Sequence, residues 1–409
     1  MISTPLAPKN TESLIFSLCC VAFAGAAISG IVILSLISVY LANKGSSLNG
    51  PIICSLSFTA MTSQRVGNGP SYISGADLNN DHKIDLVTAN YDDSTISVLL
   101  GNGDNTFQNQ VKYSTGTTND NPNALYIADV NKDGNLDVVT ANSGTSNVAV
   151  FLGKGDGTFS TAKTYSTGTG SKPIGLVLGD LNKDGNNDLV VTDETNNVVL
   201  IFLGDGTGAF TLTNTLSSDS NSKPYGVAIN DFNGDGQPDI GITNSGTNNV
   251  GIFLNSGNTI FKPQTTYPTG NNPVSMTVVD FNKDGILDIA TANYAGNSIS
   301  VLLGNSAGTF QTQKLFSTGS GSLPYSVYSG DFNGDKNQDI IVPDSGTNKI
   351  TIFRGNGHGN FRSQKTYSTG DGSNPVDITA VDLNNDNRLD FASANYGTNT
   401  VSVFLNTCN

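Results

Sequence analysis

One nine-residue pattern, Asp-x-Asn-x-Asp-x-x-x-Asp, occurs seven times in this chain of 409 residues. It reads DLNNDHKID at Asp77–Asp85, DVNKDGNLD at Asp129–Asp137, DLNKDGNND at Asp180–Asp188 and DFNGDGQPD at Asp231–Asp239. It returns as DFNKDGILD at Asp280–Asp288, DFNGDKNQD at Asp331–Asp339 and DLNNDNRLD at Asp382–Asp390. Successive copies start 49–52 residues apart. A fixed period of that length marks an array of equal units, each too small to bury its own apolar faces.

The rest of the unit repeats in phase. After the second copy comes an apolar segment, Leu136–Ala141, then a polar turn, Asn142–Asn147, then a second apolar segment, Val148–Leu152. A Gly-rich turn leads to an alternating segment, Thr158–Tyr165, and a polar loop leads to a fourth segment, Ile174–Leu178, that runs into the next copy. Short β-branched and aromatic runs between turn residues are strand chemistry, and after residue 50 there is no helical period. Four strands with hairpin-length turns make a small antiparallel sheet. Seven such sheets bury both faces when stacked radially, so the expected fold is all-β, a seven-bladed β-propeller of four-stranded antiparallel blades. The seventh unit stops after its third strand, Thr400–Leu405, and Ser57–Arg65 aligns with the missing outer strand. A ring closed by that N-terminal strand hides the edges a linear array would expose. The closure brings Cys54, just before the closing strand, towards Cys408, just after the last one, and so predicts a Cys54–Cys408 disulfide and an oxidising compartment.

The repeated nonapeptide has the donors of a hard-cation loop. Side-chain oxygens stand at positions 1, 3, 5 and 9 in every copy, and the carbonyl at position 7 adds a fifth donor. The expected donor sets are Asp77, Asn79, Asp81, Lys83 and Asp85, then Asp129, Asn131, Asp133, Asn135 and Asp137, then Asp180, Asn182, Asp184, Asn186 and Asp188. They continue with Asp231, Asn233, Asp235, Gln237 and Asp239, then Asp280, Asn282, Asp284, Ile286 and Asp288. The last two are Asp331, Asn333, Asp335, Asn337 and Asp339, and Asp382, Asn384, Asp386, Arg388 and Asp390. These loops hold 21 of the 34 acidic residues of a chain with formal charge −14, which seven Ca²⁺ would neutralise. The flanking strands and the closing carboxylate at position 9 exclude a helical EF-hand, and Mg²⁺ is disfavoured because it keeps its waters. Gly134, Gly185, Gly236 and Gly285 fill position 6, where a left-handed turn is expected. His82, Lys336 and Asn387 stand there in the other copies, so the loops at Asp77–Asp85 and Asp331–Asp339 are expected to bind most weakly.

These repeats resemble the FG-GAP/VCBS family, known from the propeller of integrin α subunits. The DFNGDGQPD-type loop, the apolar strand after it and the GDGTF turn carry the likeness, over about residues 57–405. The resemblance implies a propeller, a Ca²⁺ loop between the first two strands of each blade, and a role in adhesion or ligand binding. All seven units carry a loop here and no integrin leg domains follow, so an integrin role does not transfer.

Ahead of the array lies Leu14–Ala42, 29 residues without a charge, long enough to span a bilayer. The expected layout is a tail at 1–13, a transmembrane signal-anchor at 14–42, a linker at 43–53 and the propeller at 54–409, lumenal or extracellular. The alternative is secretion after signal cleavage near Ala22-Phe23-Ala24. The acidic balance excludes a nucleic-acid partner, which needs clustered Lys and Arg. With two isolated histidines, His82 and His358, and no Trp, no catalytic set is apparent, and the expectation is a binding protein rather than an enzyme. Its ligand would be an extracellular protein or a glycan. In the carbohydrate reading Tyr91, Tyr294 and Tyr396, which follow Ala-Asn in three turns, stack on sugar rings; the plainer reading packs them between blades.

Overall fold

A computed structural model describes residues 56–59 and 62–408. The predicted anchor Leu14–Ala42, the linker and Cys54 lie outside the described residues. Among the described residues no helix is long and apolar enough to cross a membrane.

Each repeat folds into a four-stranded antiparallel sheet, and seven of them make a β-propeller. The first blade is built from Pro70–Ala76, Asp85–Asn90, Thr95–Leu99 and Val111–Ser114, running from the inner strand to the outer one. Pro122–Ala128, Asp137–Asn142, Asn147–Phe151 and Lys163–Ser166 repeat the plan in the second blade. All six residues of every second strand are buried, as the unbroken apolar runs require of strands covered on both faces. Outer strands face water: three of the four residues of Val111–Ser114, Lys163–Ser166 and Thr265–Pro268 are exposed.

The ring is closed. In the seventh blade Thr62–Arg65 pairs antiparallel with Thr400–Phe404, Thr62 opposite Val403 and Arg65 opposite Thr400. The expected closing stretch 57–65 is thus a shorter strand preceded by one bridge, Phe58 opposite Asn406. The core is seven clusters, one at each blade junction. The cluster of Ile73, Leu86 and Leu99 with Val376, Val381 and Val401 joins the first blade to the last.

The alternating segment Thr158–Tyr165 is not one strand. Phe159 makes a single bridge with Gly153 across the Gly-rich turn, and regular pairing resumes only at Lys163–Ser166. In the third and sixth blades the same segment stays continuous, Phe210–Ser217 and Phe361–Ser368, by absorbing a bulge.

Candidate cation loops and the axial cavity

Every nine-residue loop links an inner strand to a second strand, with position 1 just after the first and position 9 opening the second. The loop winds around its own side chains. In the third blade Asp180 Oδ1 and Oδ2 accept the N–H groups of Asp184 (3.0 Å) and Gly185 (2.8 Å). Asn182 Oδ1 accepts from Asp184 N–H and Asp184 Oδ1 from Asn186 N–H, so positions 1, 3 and 5 all turn inward. The same bonds recur in the other loops. Two residues, not one, take the left-handed conformation. Position 4 does so at Lys132, Lys183 and Lys283, and position 6 at Gly134, Gly185 and even His82 (φ 62°) and Lys336 (φ 64°). Sequence reasoning found only the second, although position 4 is Asn80, Gly234, Gly334 or Asn385 in four of the loops.

Position 9 does more than close a donor ring. Asp188 Oδ2 accepts the N–H of Leu181 at 2.9 Å and its Oδ1 that of Gly204, 16 residues on, at 3.0 Å. This carboxylate ties the loop to the turn after the third strand, and Asp85, Asp137, Asp239, Asp288, Asp339 and Asp390 do the same. Burial, followed by the neighbouring carboxylates at positions 1 and 5, pushes these groups up to about 6, and Asp339 to about 7. Three carboxyl groups therefore share one field, and each oxygen at position 9 keeps a lone pair beyond its backbone bond. The donor types are those a hard divalent cation takes, while among the described residues no group of three or more carboxylate, His or Cys side chains lies close enough together to hold a metal ion.

Two loops differ. In the first, His82 Nδ1 lies 3.8 Å from Asp77 and Lys83 Nζ 3.4 Å from Asp81, the only ion pairs made by loop carboxylates among the described residues. In the sixth, Asn333 is fully buried and its amide donates to Asp339 at 3.2 Å, whereas the matching amides donate to position 5 elsewhere.

On the face opposite the loops the inner strands enclose a cavity of about 570 Å³ on the propeller axis. Six inner strands carry a bulge directly after their opening proline, as between Pro224 and Val227 or Pro375 and Asp377. The bulge turns the residues after proline towards the axis. Tyr72 and Tyr225 enter in this way, and Tyr325 lines the cavity just after Pro324, which meets Asp344 in an isolated bridge. Tyr91, Tyr294 and Tyr396 join them from the turns between second and third strands, and Tyr396 also packs on the cluster that joins the first blade to the last. Asp377 lies in the wall, its Oδ2 accepting Ile73 N–H at 2.9 Å, and burial pushes it up to about 7. Glu194, the one glutamate after Glu12, stands at the mouth with Lys172 Nζ 2.5 Å away. Sequence reasoning missed Tyr72, Tyr225, Tyr325, Glu194 and Asp377. The available signal was the pair of residues after each inner-strand proline, compared across units some 50 positions apart.

Blades, loops and closure together define a seven-bladed propeller in which every blade carries the same acidic loop. The model of the FG-GAP-like repeat matches residues 77–140, 129–191, 180–242, 231–291, 280–342 and 331–393, and the chain belongs to that family. No curated protein matches the chain. Among solved structures it is similar to virginiamycin B lyase of Staphylococcus aureus, with TM-score 0.62 and 16% identity over 85% of this chain and 99% of the lyase. It is similar to an Agrocybe aegerita lectin with specific recognition of non-reducing terminal N-acetylglucosamine, with TM-score 0.51 and 22% identity over 75% of this chain and 80% of the lectin. A putative 6-phosphogluconolactonase of Bacteroides fragilis has TM-score 0.57 and 18% identity over 75% of this chain and 86% of its own. Identities this low establish a shared fold alone.

Proposed function

We propose that this protein is a calcium-stabilised binding propeller, held at a membrane by Leu14–Ala42 with its ring on the extracellular or lumenal side. What supports the reading is the sevenfold recurrence of the motif, with Asp at positions 1, 5 and 9 and Asn at position 3 in every copy. Calcium has a structural role here, fixing inner strand to second strand, and leaves the axial face free for a ligand. Extracellular modules hold Ca²⁺ with Kd of about 10⁻⁴–10⁻³ M, so export would fill the sites. The ring closure supports the Cys54–Cys408 pairing: Thr407 N–H donates to Ser57 O at 2.7 Å, which sets the chain just after Cys54 beside buried Cys408. The assignment is to binding rather than catalysis. His82 is 95% exposed in a cation loop, His358 lies in an exposed turn, and neither lines the axial cavity.

Equilibrium dialysis against millimolar Ca²⁺ tests the reading. Several ions per chain are expected, with the first loop the last to fill, since His82 and Lys83 already compete for its carboxylates. Stoichiometry near zero would overturn it. A pull-down in Ca²⁺ against EGTA tests ligand binding separately.

A further inference from the structure

The axial cavity has a more definite chemistry than a general binding face. Its six tyrosines are all half-buried, with part of each ring accessible from the cavity. They form an enclosure, not a platform. Tyr325 stands edge-on to Tyr225 (6.1 Å between centroids, 82°) and to Tyr294 (5.6 Å, 87°). The Tyr225 and Tyr325 hydroxyls bond to each other, and Tyr396 Oη donates to Asp92 Oδ1 at 3.2 Å. The walls thus use these hydroxyls among themselves, and ring surface remains for a guest. Perpendicular rings suit a compact guest touched from several sides, whereas a sugar ring asks for one flat, open face.

The field inside is negative. Asp377 acts on Tyr72, Glu194 on Tyr225 and Tyr325, and Asp92 on Tyr396, and each of these carboxylates, after burial, holds its phenol proton on more tightly. The single ammonium among the lining residues, Lys172, is tied to Glu194. Lys223 belongs to a smaller recess on the outer side of that pair. Ring faces and carboxylates without a free ammonium form an environment for positive charge.

We propose that the axial cavity binds an organic cation, an alkylated ammonium head group on a larger, partly apolar body. The volume admits a drug-sized molecule, so the head group occupies only part of it. The head sits against Tyr225, Tyr294 and Tyr325, with Glu194 at the mouth as the counter-charge. The proposal rests on the propeller's being a binding module and goes beyond it in naming the ligand's charge and shape.

The test is isothermal titration of the full chain, kept in calcium and a polyoxyethylene detergent. Its three probes are choline, the neutral isostere 3,3-dimethylbutan-1-ol, and methyl N-acetylglucosaminide. Choline is expected to bind at least about fivefold tighter than the alcohol, the discrimination a desolvated cation–π contact supplies. Because the chain has no Trp, tyrosine emission reports occupancy directly. Glu194→Gln and Tyr294→Leu are each expected to weaken choline several-fold. If Tyr294→Leu also lowers the melting temperature, Glu194→Gln, at the partly exposed rim, carries the test. Equal affinity for choline and the alcohol, binding of the glucosaminide alone, or no binding of any probe overturns the cation proposal. Binding of the glucosaminide alone leaves the binding-module reading standing, and the calcium-dependent pull-down decides that reading independently.

Discussion

Single positions at the end of each second strand show how one atom can unbalance a blade. Asn90, Asn293 and Asn395 occupy this position and donate through Nδ2 to a serine seven residues on, at 2.6–2.8 Å. The sixth blade has Asp344 instead. It accepts a bond from Thr351, while its other oxygen is buried with no partner. Burial pushes this carboxyl up to about 7. A folded-state pKa above the ordinary 3.8 means that the native state binds more protons in between. Its contribution is therefore favourable at low pH and is lost as pH rises from about 4 through 7. Asp344→Asn supplies the donor that Asn90, Asn293 and Asn395 carry in the first, fifth and seventh blades. It is expected to stabilise the protein at pH 8 by about 1–3 kcal/mol, the cost of an unsatisfied buried polar group. The gain should shrink towards pH 5, as read by urea denaturation at both values.

The cation loops make a second residue-scale prediction. Asp188→Ala removes two backbone clamps as well as a donor, so it is expected to destabilise the protein in EGTA and in calcium alike. Asp184→Ala removes a donor and two bonds internal to the exposed loop, from Asn186 N–H and the Asn182 amide, but no tie to another strand, so most of its cost should appear only in calcium. Paired melting curves in the two buffers separate the roles. The motif revealed the donor types at positions 1, 3, 5 and 9. It did not reveal the clamp, because the partner of Asp188 is a backbone N–H at Gly204, which any residue but proline could supply.

At the scale of elements, an aromatic contact joins each of several blades to the next. Tyr113 meets Phe159 at 5.6 Å, Tyr165 meets Phe210 at 6.0 Å, Tyr267 meets Phe310 at 5.2 Å and Phe316 meets Phe361 at 5.4 Å, all edge-to-face. The last junction completes the series with a phenylalanine from the other end of the chain: Tyr367 meets Phe58 at 5.3 Å. Phe58 also packs on Phe391 at 4.8 Å and is 8% exposed. Phe58→Ala is expected to cost about 3–5 kcal/mol, as for other buried aromatics, and to loosen the closing strand. Hydrogen exchange should then rise first at Thr400–Phe404. The apolar periodicity made nearly all inner, second and third strands legible in the sequence. It could not mark the split in the outer segment, since Phe159 keeps its alternation phase while the backbone leaves the ladder to bridge Gly153. The axial cavity was harder to read. Each blade supplies only a few of its residues, and their convergence exists only once the ring is closed.

For the whole molecule, stability depends on keeping a circle shut. Six junctions join successive repeats and the seventh joins the last blade to the first, the last blade being completed by a four-residue strand from the N-terminal side. The expected Cys54–Cys408 bond would lock it, and Cys408→Ser is expected to cost about 2–4 kcal/mol by freeing the denatured chain. Non-reducing peptide mapping checks the pairing itself: two alkylatable thiols would remove it. In the proposed reading, calcium would act on every blade at once. At ten times its Kd, each filled site adds about 1.4 kcal/mol to the folded state, so even partial occupancy gives a large total. The most direct measurement is the melting temperature of the full chain in millimolar calcium and again in excess EGTA. A large, reversible drop on chelation is the predicted result; a melting temperature that does not move would contradict the calcium-stabilised ring.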